Sequence, residues 1–126
     1  MGQKIMEKLA AGEVFVCDGA MGTQIQACGL PLGDCPEQFN LTHPDKVEAI
    51  HRAYFEAGAE LVETNTFGAN GGRLKGYGLE GQVAELNRKA VELARRAVPD
   101  ECGVVGSVGP TGQTLEPLGD VRLEQG

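Results

Sequence analysis

Asp18-Gly19-Ala20-Met21-Gly22-Thr23 sets one carboxylate directly before residues too small to block a ligand's approach. The Asp18 side chain suits an ammonium group through a charge-assisted hydrogen bond, and the N–H groups of Gly19 and Ala20, at the start of a following helix, suit a carboxylate. Together they match the two charges of an amino-acid zwitterion. The same residues also admit a structural use, with Asp18 capping that helix and Gly19 serving the turn. Thr64-Asn65-Thr66-Phe67-Gly68 offers an amide and two hydroxyls to the same pocket, although alternate residues of a strand face opposite sides, so only part of that set can point inward. Gly109-Pro110-Thr111-Gly112 forms a third loop of small residues.

Other chemistries find less support. Gly19-Ala20-Met21-Gly22 lacks the G-x-G-x-x-G spacing of dinucleotide sites, and no G-x-x-x-x-G-K-[ST] occurs. No Ser, His and acid fall at a spacing that singles out a nucleophile system. His51 lies on an apolar helical stripe, which points to a core histidine with satisfied hydrogen bonds, and His43 beside Pro44 reads as a helix-entry residue. Cys17, Cys28, Cys35 and Cys102 form no C-x-x-C pair and have no histidine at zinc-like spacing. They are expected to be reduced, as small buried or half-buried side chains, and no metal ligand is assigned among them.

The elements that must carry these loops alternate. Residues 4–12 read as a short amphipathic helix with Ile5, Met6 and Leu9 on one side and Gly12 as its stop. Glu13–Cys17 is a β-branched run that reads as a strand, followed by the Asp18 loop. Residues 30–43, rich in Pro and Gly, read as an irregular surface excursion. A helix then starts with Thr42 as N-cap, Pro44 at N1 and Asp45 in the first turn, and buries Val47, Ile50, His51, Tyr54 and Phe55 before Gly58 closes it. Glu60–Phe67 reads as a second strand. Residues 82–97 form the clearest helix, with Val83, Leu86, Ala90, Leu93 and Ala97 inward. Gly103–Val108 reads as a third strand, and an irregular tail runs to Gly126. Apolar strands alternating with helices predict an α/β fold with a parallel sheet, whose post-strand loops gather on one face.

At 126 residues, with 23% charged and 41% hydrophobic residues, the chain has the composition of one globular domain spanning 1–126. A net charge of −7 argues against a nucleic-acid partner, because phosphate binding needs clustered Lys and Arg. No run of about 18 apolar residues exists to span a bilayer, and no signal-type apolar stretch follows Met1, so a cytoplasmic location is expected.

Taken in order, Asp18-Gly19-Ala20-Met21-Gly22-Thr23, Tyr54-Phe55-Glu56-Ala57-Gly58-Ala59, Glu63-Thr64-Asn65-Thr66-Phe67-Gly68-Ala69 and Gly109-Pro110-Thr111-Gly112 resemble the motifs of homocysteine S-methyltransferases. The likeness covers nearly the whole chain and is nearest to the homocysteine-binding module of cobalamin-dependent methionine synthases. It implies a (β/α)8 TIM barrel in which zinc on three cysteine thiolates activates the sulfur of homocysteine toward a methyl donor. It further implies that Asp18, Gly19, Ala20 and Asn65 are the substrate-binding residues.

The family's zinc cysteines lie in later strands, and none of the four cysteines here matches them. A complete barrel takes about 250 residues. The expectation is therefore the first three β-α units of such a barrel, a fragment inactive alone and partnered by the missing C-terminal part, with homocysteine as substrate and cobalamin as one candidate methyl donor. The alternative is a non-catalytic α/β binding or assembly module completed by a partner chain.

Overall fold

Two short strands lie side by side and parallel. The computed structural model describes residues 2–125; Met1 and Gly126, named above, lie outside them. Strand β1 (Leu61–Glu63) pairs with β2 (Gly103–Val105), setting Leu61 opposite Gly103, Val62 opposite Val104 and Glu63 opposite Val105. On the free side of β1 runs the segment expected to be the first strand. It contributes a single parallel bridge from Cys17 to Leu61, with the Asp18 N–H donating to the Leu61 carbonyl at 2.9 Å.

The expected strand Glu13–Cys17 is thus extended backbone carrying one bridge. Val14 and Val16, 90% and 58% exposed, have no element packed over them, so nothing holds a longer ladder in place. Glu60–Phe67 shortens to three residues because the chain turns at once beyond β1, the Thr66 N–H donating to the Thr64 carbonyl at 2.9 Å. Gly103–Val108 likewise stops at Val105. Among the described residues no α-helix follows β2, so the third of the expected β-α units lacks its helix.

Helix α1 (Gly2–Ala10) precedes the sheet, and Gly12 (φ +83°) turns the chain out of it. Its expected apolar side is only partly used. Ile5 packs where a side chain on Gly103 would stand, whereas Met6 and Leu9 remain 65% and 47% exposed. Helix α2 (Gly22–Ala27) follows the Asp18 loop and buries Ile25.

Residues 30–43 are not irregular throughout. A 3-10 turn at Pro36–Gln38 leads into the single turn of α3 (Phe39–Thr42), and Phe39 and Asn40 are buried. Local composition favoured a loop; tertiary burial of those two side chains decided otherwise. This turn also alters the next helix start. Helix α4 (Pro44–Glu56) has His43, not Thr42, at its N-cap with no capping side chain, because the Thr42 hydroxyl is turned back toward the Gln38 carbonyl at 3.2 Å. Pro44 and Asp45 sit in the first turn as expected, and Gly58 (φ +114°) ends the helix while the Ala59 N–H closes on the Tyr54 carbonyl at 3.0 Å.

Helix α5 (Gly71–Lys75) was not legible in the sequence; Asn70 caps it by accepting from the Arg73 N–H at 3.0 Å. Helix α6 (Val83–Ala97) matches its expected span to within one residue and buries Leu86, Ala90, Leu93, Ala94 and Ala97. Each buried leucine contributes roughly 1.5–3 kcal/mol of transfer free energy. Leu93 joins Ile25, Leu30, Phe39, Val47 and Ile50 beneath α4, while Ala94 and Ala97 let α6 lie close on Ala59 and Val62. Glu48 on α4 pairs with Arg52 and, across the helix interface, with Arg96, each at 2.9 Å. No described helix is long and apolar enough to cross a membrane.

Candidate functional site

The loops that follow the three parallel segments enclose one cavity of about 380 Å³, lined by Asp18 to Gly22, Pro36, Glu37, Glu63 to Phe67 and Ser107. All four expected site residues, Asp18, Gly19, Ala20 and Asn65, are on its wall. The loop Gly109–Gly112 is not part of that wall. It lies behind the second loop, where Gly109 packs so tightly on the Phe67 carbonyl that no side chain fits, and the Pro110 carbonyl accepts from Asn70 Nδ2 at 3.2 Å. A larger cavity of about 720 Å³ opens near Ala59, Glu60, Asp100 and Cys102, at the N-terminal ends of β1 and β2. In β/α folds that end carries stability and the opposite end carries chemistry, so the smaller cavity is the candidate site.

Asp18 is half-buried. Its Oδ2 accepts from the Glu63 N–H at 3.1 Å and its Oδ1 from the Cys17 thiol at 3.4 Å. Burial pushes its pKa above the ordinary 3.8, opposed by the Glu63 N–H. It caps no helix: α2 begins at Gly22 with Met21 in the N-cap position and no capping side chain. The capping role considered for Asp18 is therefore absent, and its structural hydrogen bond goes to β1 instead. Gly19 and Ala20 stand before that helix instead of at its first turn, and the Tyr54 hydroxyl donates to the Ala20 carbonyl at 2.7 Å with its ring close against Gly19.

Thr64, Asn65 and Thr66 are all buried, against the expectation that strand alternation would turn part of the set away. Alternation lapses because β1 has already ended at Glu63. The Asn65 amide donates to the Pro36 carbonyl and to Asn40 Oδ1, both at 3.0 Å. The threonines form a ring with Ser107. The Ser107 N–H donates to Thr64 Oγ1 at 3.2 Å, and Thr66 Oγ1 donates to the Ser107 carbonyl at 2.7 Å. With the Thr66 proton so placed, Thr64 must be the donor in the 2.7 Å contact between the two hydroxyls.

Glu37 and Asn40 escaped the sequence reading. Glu37, 6% exposed, accepts the Gly68 N–H at 2.7 Å and the Cys35 thiol at 3.2 Å. A Pro-Glu pair in a turn-rich stretch gives no periodic signal of burial. His51 is buried as expected, but neither ring nitrogen has a hydrogen-bond partner, so it is not the satisfied core histidine anticipated. Burial alone lowers its pKa from 6.5 to about 4.

All four cysteines are free. Cys17 is exposed, contrary to the expectation that each would be at least half-buried; Cys28 is half-buried, and Cys35 and Cys102 are buried. Burial and the neighbouring Glu37 push the Cys35 thiol up to about 11, and burial also raises Cys17 and Cys102. Among the described residues the one group of three potential metal donors within 4.8 Å of one another is Cys17, Asp18 and Glu63, which holds a single thiol. The three-thiolate zinc site implied by the resemblance does not fit these residues.

The family model described as homocysteine S-methyltransferase matches residues 15–125. The chain belongs to this family. Methionine synthase of Mycobacterium tuberculosis is 49% identical over 119 residues, covering 84% of this chain and 10% of the relative; that of Mycobacterium leprae is 46% identical over 128 residues, covering 91% and 10%. The chain thus spans about a tenth of the length of these relatives. The crystal structure of the homocysteine methyltransferase MmuM from Escherichia coli, in its metallated form, superposes with a TM-score of 0.68 at 32% identity, covering 82% of this chain and 41% of that one.

Within this homocysteine S-methyltransferase chain, the cavity is lined by parts of two of the motifs that carry the resemblance, Asp18–Thr23 and Glu63–Ala69. Pro36, Glu37 and Ser107 complete its lining.

Proposed function

We propose that this chain forms the amino-acid-binding side of a homocysteine S-methyltransferase site, the first part of a (β/α)8 barrel that transfers a methyl group to the homocysteine sulfur. The observation that carries the reading is the single cavity shared by the Asp18 loop, the Thr64–Phe67 turn and Ser107 in a member of that family. Asp18 presents a carboxyl group to the ligand's ammonium, and the Gly19 and Ala20 backbone approaches its carboxylate. Asn65 shapes this pocket by donating to Asn40 and Pro36.

The metal that activates the sulfur would be held by other parts of the barrel, and the methyl donor, a cobalamin among the candidates, would act from there. Residues 1–126 by themselves then bind homocysteine without transferring a methyl group, in a cytoplasmic setting. Titration of the chain with L-homocysteine, followed by amide chemical shifts, should perturb Asp18–Gly22, Thr64–Phe67 and Ser107 with no zinc present. Shifts confined to the Glu60–Cys102 end, or tight stoichiometric zinc binding by the four cysteines, would overturn it.

Exposed Val14, Val16, Val105 and Val108 favour a second reading as well, a module whose sheet is completed by a partner chain. Sedimentation separates the two: a discrete, cooperatively unfolding oligomer supports the module.

A further inference from the structure

We infer that Glu37 is a second ammonium-binding residue of this cavity, acting beside Asp18 on an α-amino acid; the inference rests on the reading above. Glu37 is more than nine-tenths buried and lines the cavity wall. Its carboxyl group meets only neutral donors, the Gly68 N–H at 2.7 Å and the Cys35 thiol at 3.2 Å. Among the described residues no Lys, Arg or His forms an ion pair with it. Asp18, half-buried in the same cavity, is likewise held by one backbone N–H and one thiol.

Removing a carboxylate from water without a cation is costly, and neutral donors offset only part of that cost. A glutamine at position 37 would accept the same N–H from Gly68, and Gly68 leaves space for nothing larger, since a Cβ there would stand 3.0 Å from Glu37 Oε1. The missing countercharge belongs to a ligand that enters the cavity, and a primary ammonium fits it. A carboxyl group from Glu37 added to that of Asp18 in the same cavity then separates an amino acid from a thiol acid of the same length.

The test compares L-homocysteine with 4-mercaptobutanoate, which lacks only the amine, by calorimetry or amide shifts on the 126-residue chain under reducing conditions. The unaltered chain should prefer homocysteine by roughly tenfold or more, as expected for a charge-assisted bond. Glu37→Gln should remove most of that preference in a chain that still unfolds cooperatively. A folded Glu37→Gln chain that keeps the full preference overturns the inference and leaves the homocysteine reading standing.

Should Glu37→Gln fail to fold, a carbon-detected titration of Glu37 Cδ in the unaltered chain decides. At fixed pH the Glu37 Cδ resonance should move on saturation with homocysteine and stay put with 4-mercaptobutanoate; no difference between the two overturns the inference. If neither compound binds the unaltered chain, the homocysteine reading and this inference fall together.

Discussion

Asn40 and Asn65 hold each other by reciprocal amide bonds. Asn40 Nδ2 donates to the Asn65 carbonyl at 2.9 Å, and Asn65 Nδ2 donates to Asn40 Oδ1 at 3.0 Å. Both residues are buried, and the pair fixes the turn after β1 to the short helix α3. Asn40→Ala leaves the Asn65 amide short of an acceptor and should lower stability by about 1–3 kcal/mol in urea unfolding. Asn65→Ala should cost a similar amount, and the double variant clearly less than the sum. Additive losses would show that the two amides act independently.

His51 makes the fold acid-sensitive in a defined window. The folded chain holds this imidazole neutral down to about pH 4, whereas an unfolded chain protonates it near 6.5. The unfolded state therefore binds more protons between those values, and stability should be full above pH 6.5 and decline as pH falls toward 4. The loss attributable to His51 is at most about 3 kcal/mol. His51→Leu should flatten that part of the stability profile and leave the chain no less stable at pH 7, since it also removes two unpaired polar atoms. A profile of unchanged slope in the variant counts against this account.

Asp18 works in the opposite sense. Its folded pKa is raised by burial, so the folded chain binds the proton more tightly, and stability falls as pH rises from 3.8 through the folded value. At neutral pH the ionised side chain is a net burden on the fold. Asp18→Asn keeps an acceptor for the Glu63 N–H, so thermal unfolding at pH 7 should occur at the same or a higher temperature, while homocysteine binding weakens. A variant that melts lower at pH 7 and binds normally would make Asp18 a structural residue.

Gly109→Ala should be among the most damaging small substitutions. The added methyl would collide with the Phe67 carbonyl, a backbone atom that cannot turn aside. Either the second and third loops separate or the backbone strains, and such a change lies toward the upper end of ordinary single-residue effects, about 3 kcal/mol or more. Gly81→Ala, with open space around it, is the matched control and should unfold like the parent chain.

Much of this protein can be read from its residues alone. The stripe Val47, Ile50, His51 and the inward face of α6 follow from helical periodicity, and the stops at Gly12 and Gly58 follow from the backbone freedom of glycine. Those signals are local, so the chain carries them wherever it folds. The order of motifs also marks the family, and the residues it singles out, Asp18, Gly19, Ala20 and Asn65, line one cavity.

What the tertiary structure decided is where polar groups turn. Thr42 leaves its expected cap, residues 36–42 become helical, and Thr64, Asn65 and Thr66 abandon strand alternation, because each hydrogen-bonding group found a partner far away in the chain or around a turn. The burial of Glu37 belongs to the same class: its partner Gly68 lies in the turn after β1, which Asn65 ties to Asn40 of α3. Periodicity ranks residues by the side they face and says nothing of which distant donor will meet a given acceptor. Only the closed packing of strand ends on helices supplies that pairing, and with it the form of the site.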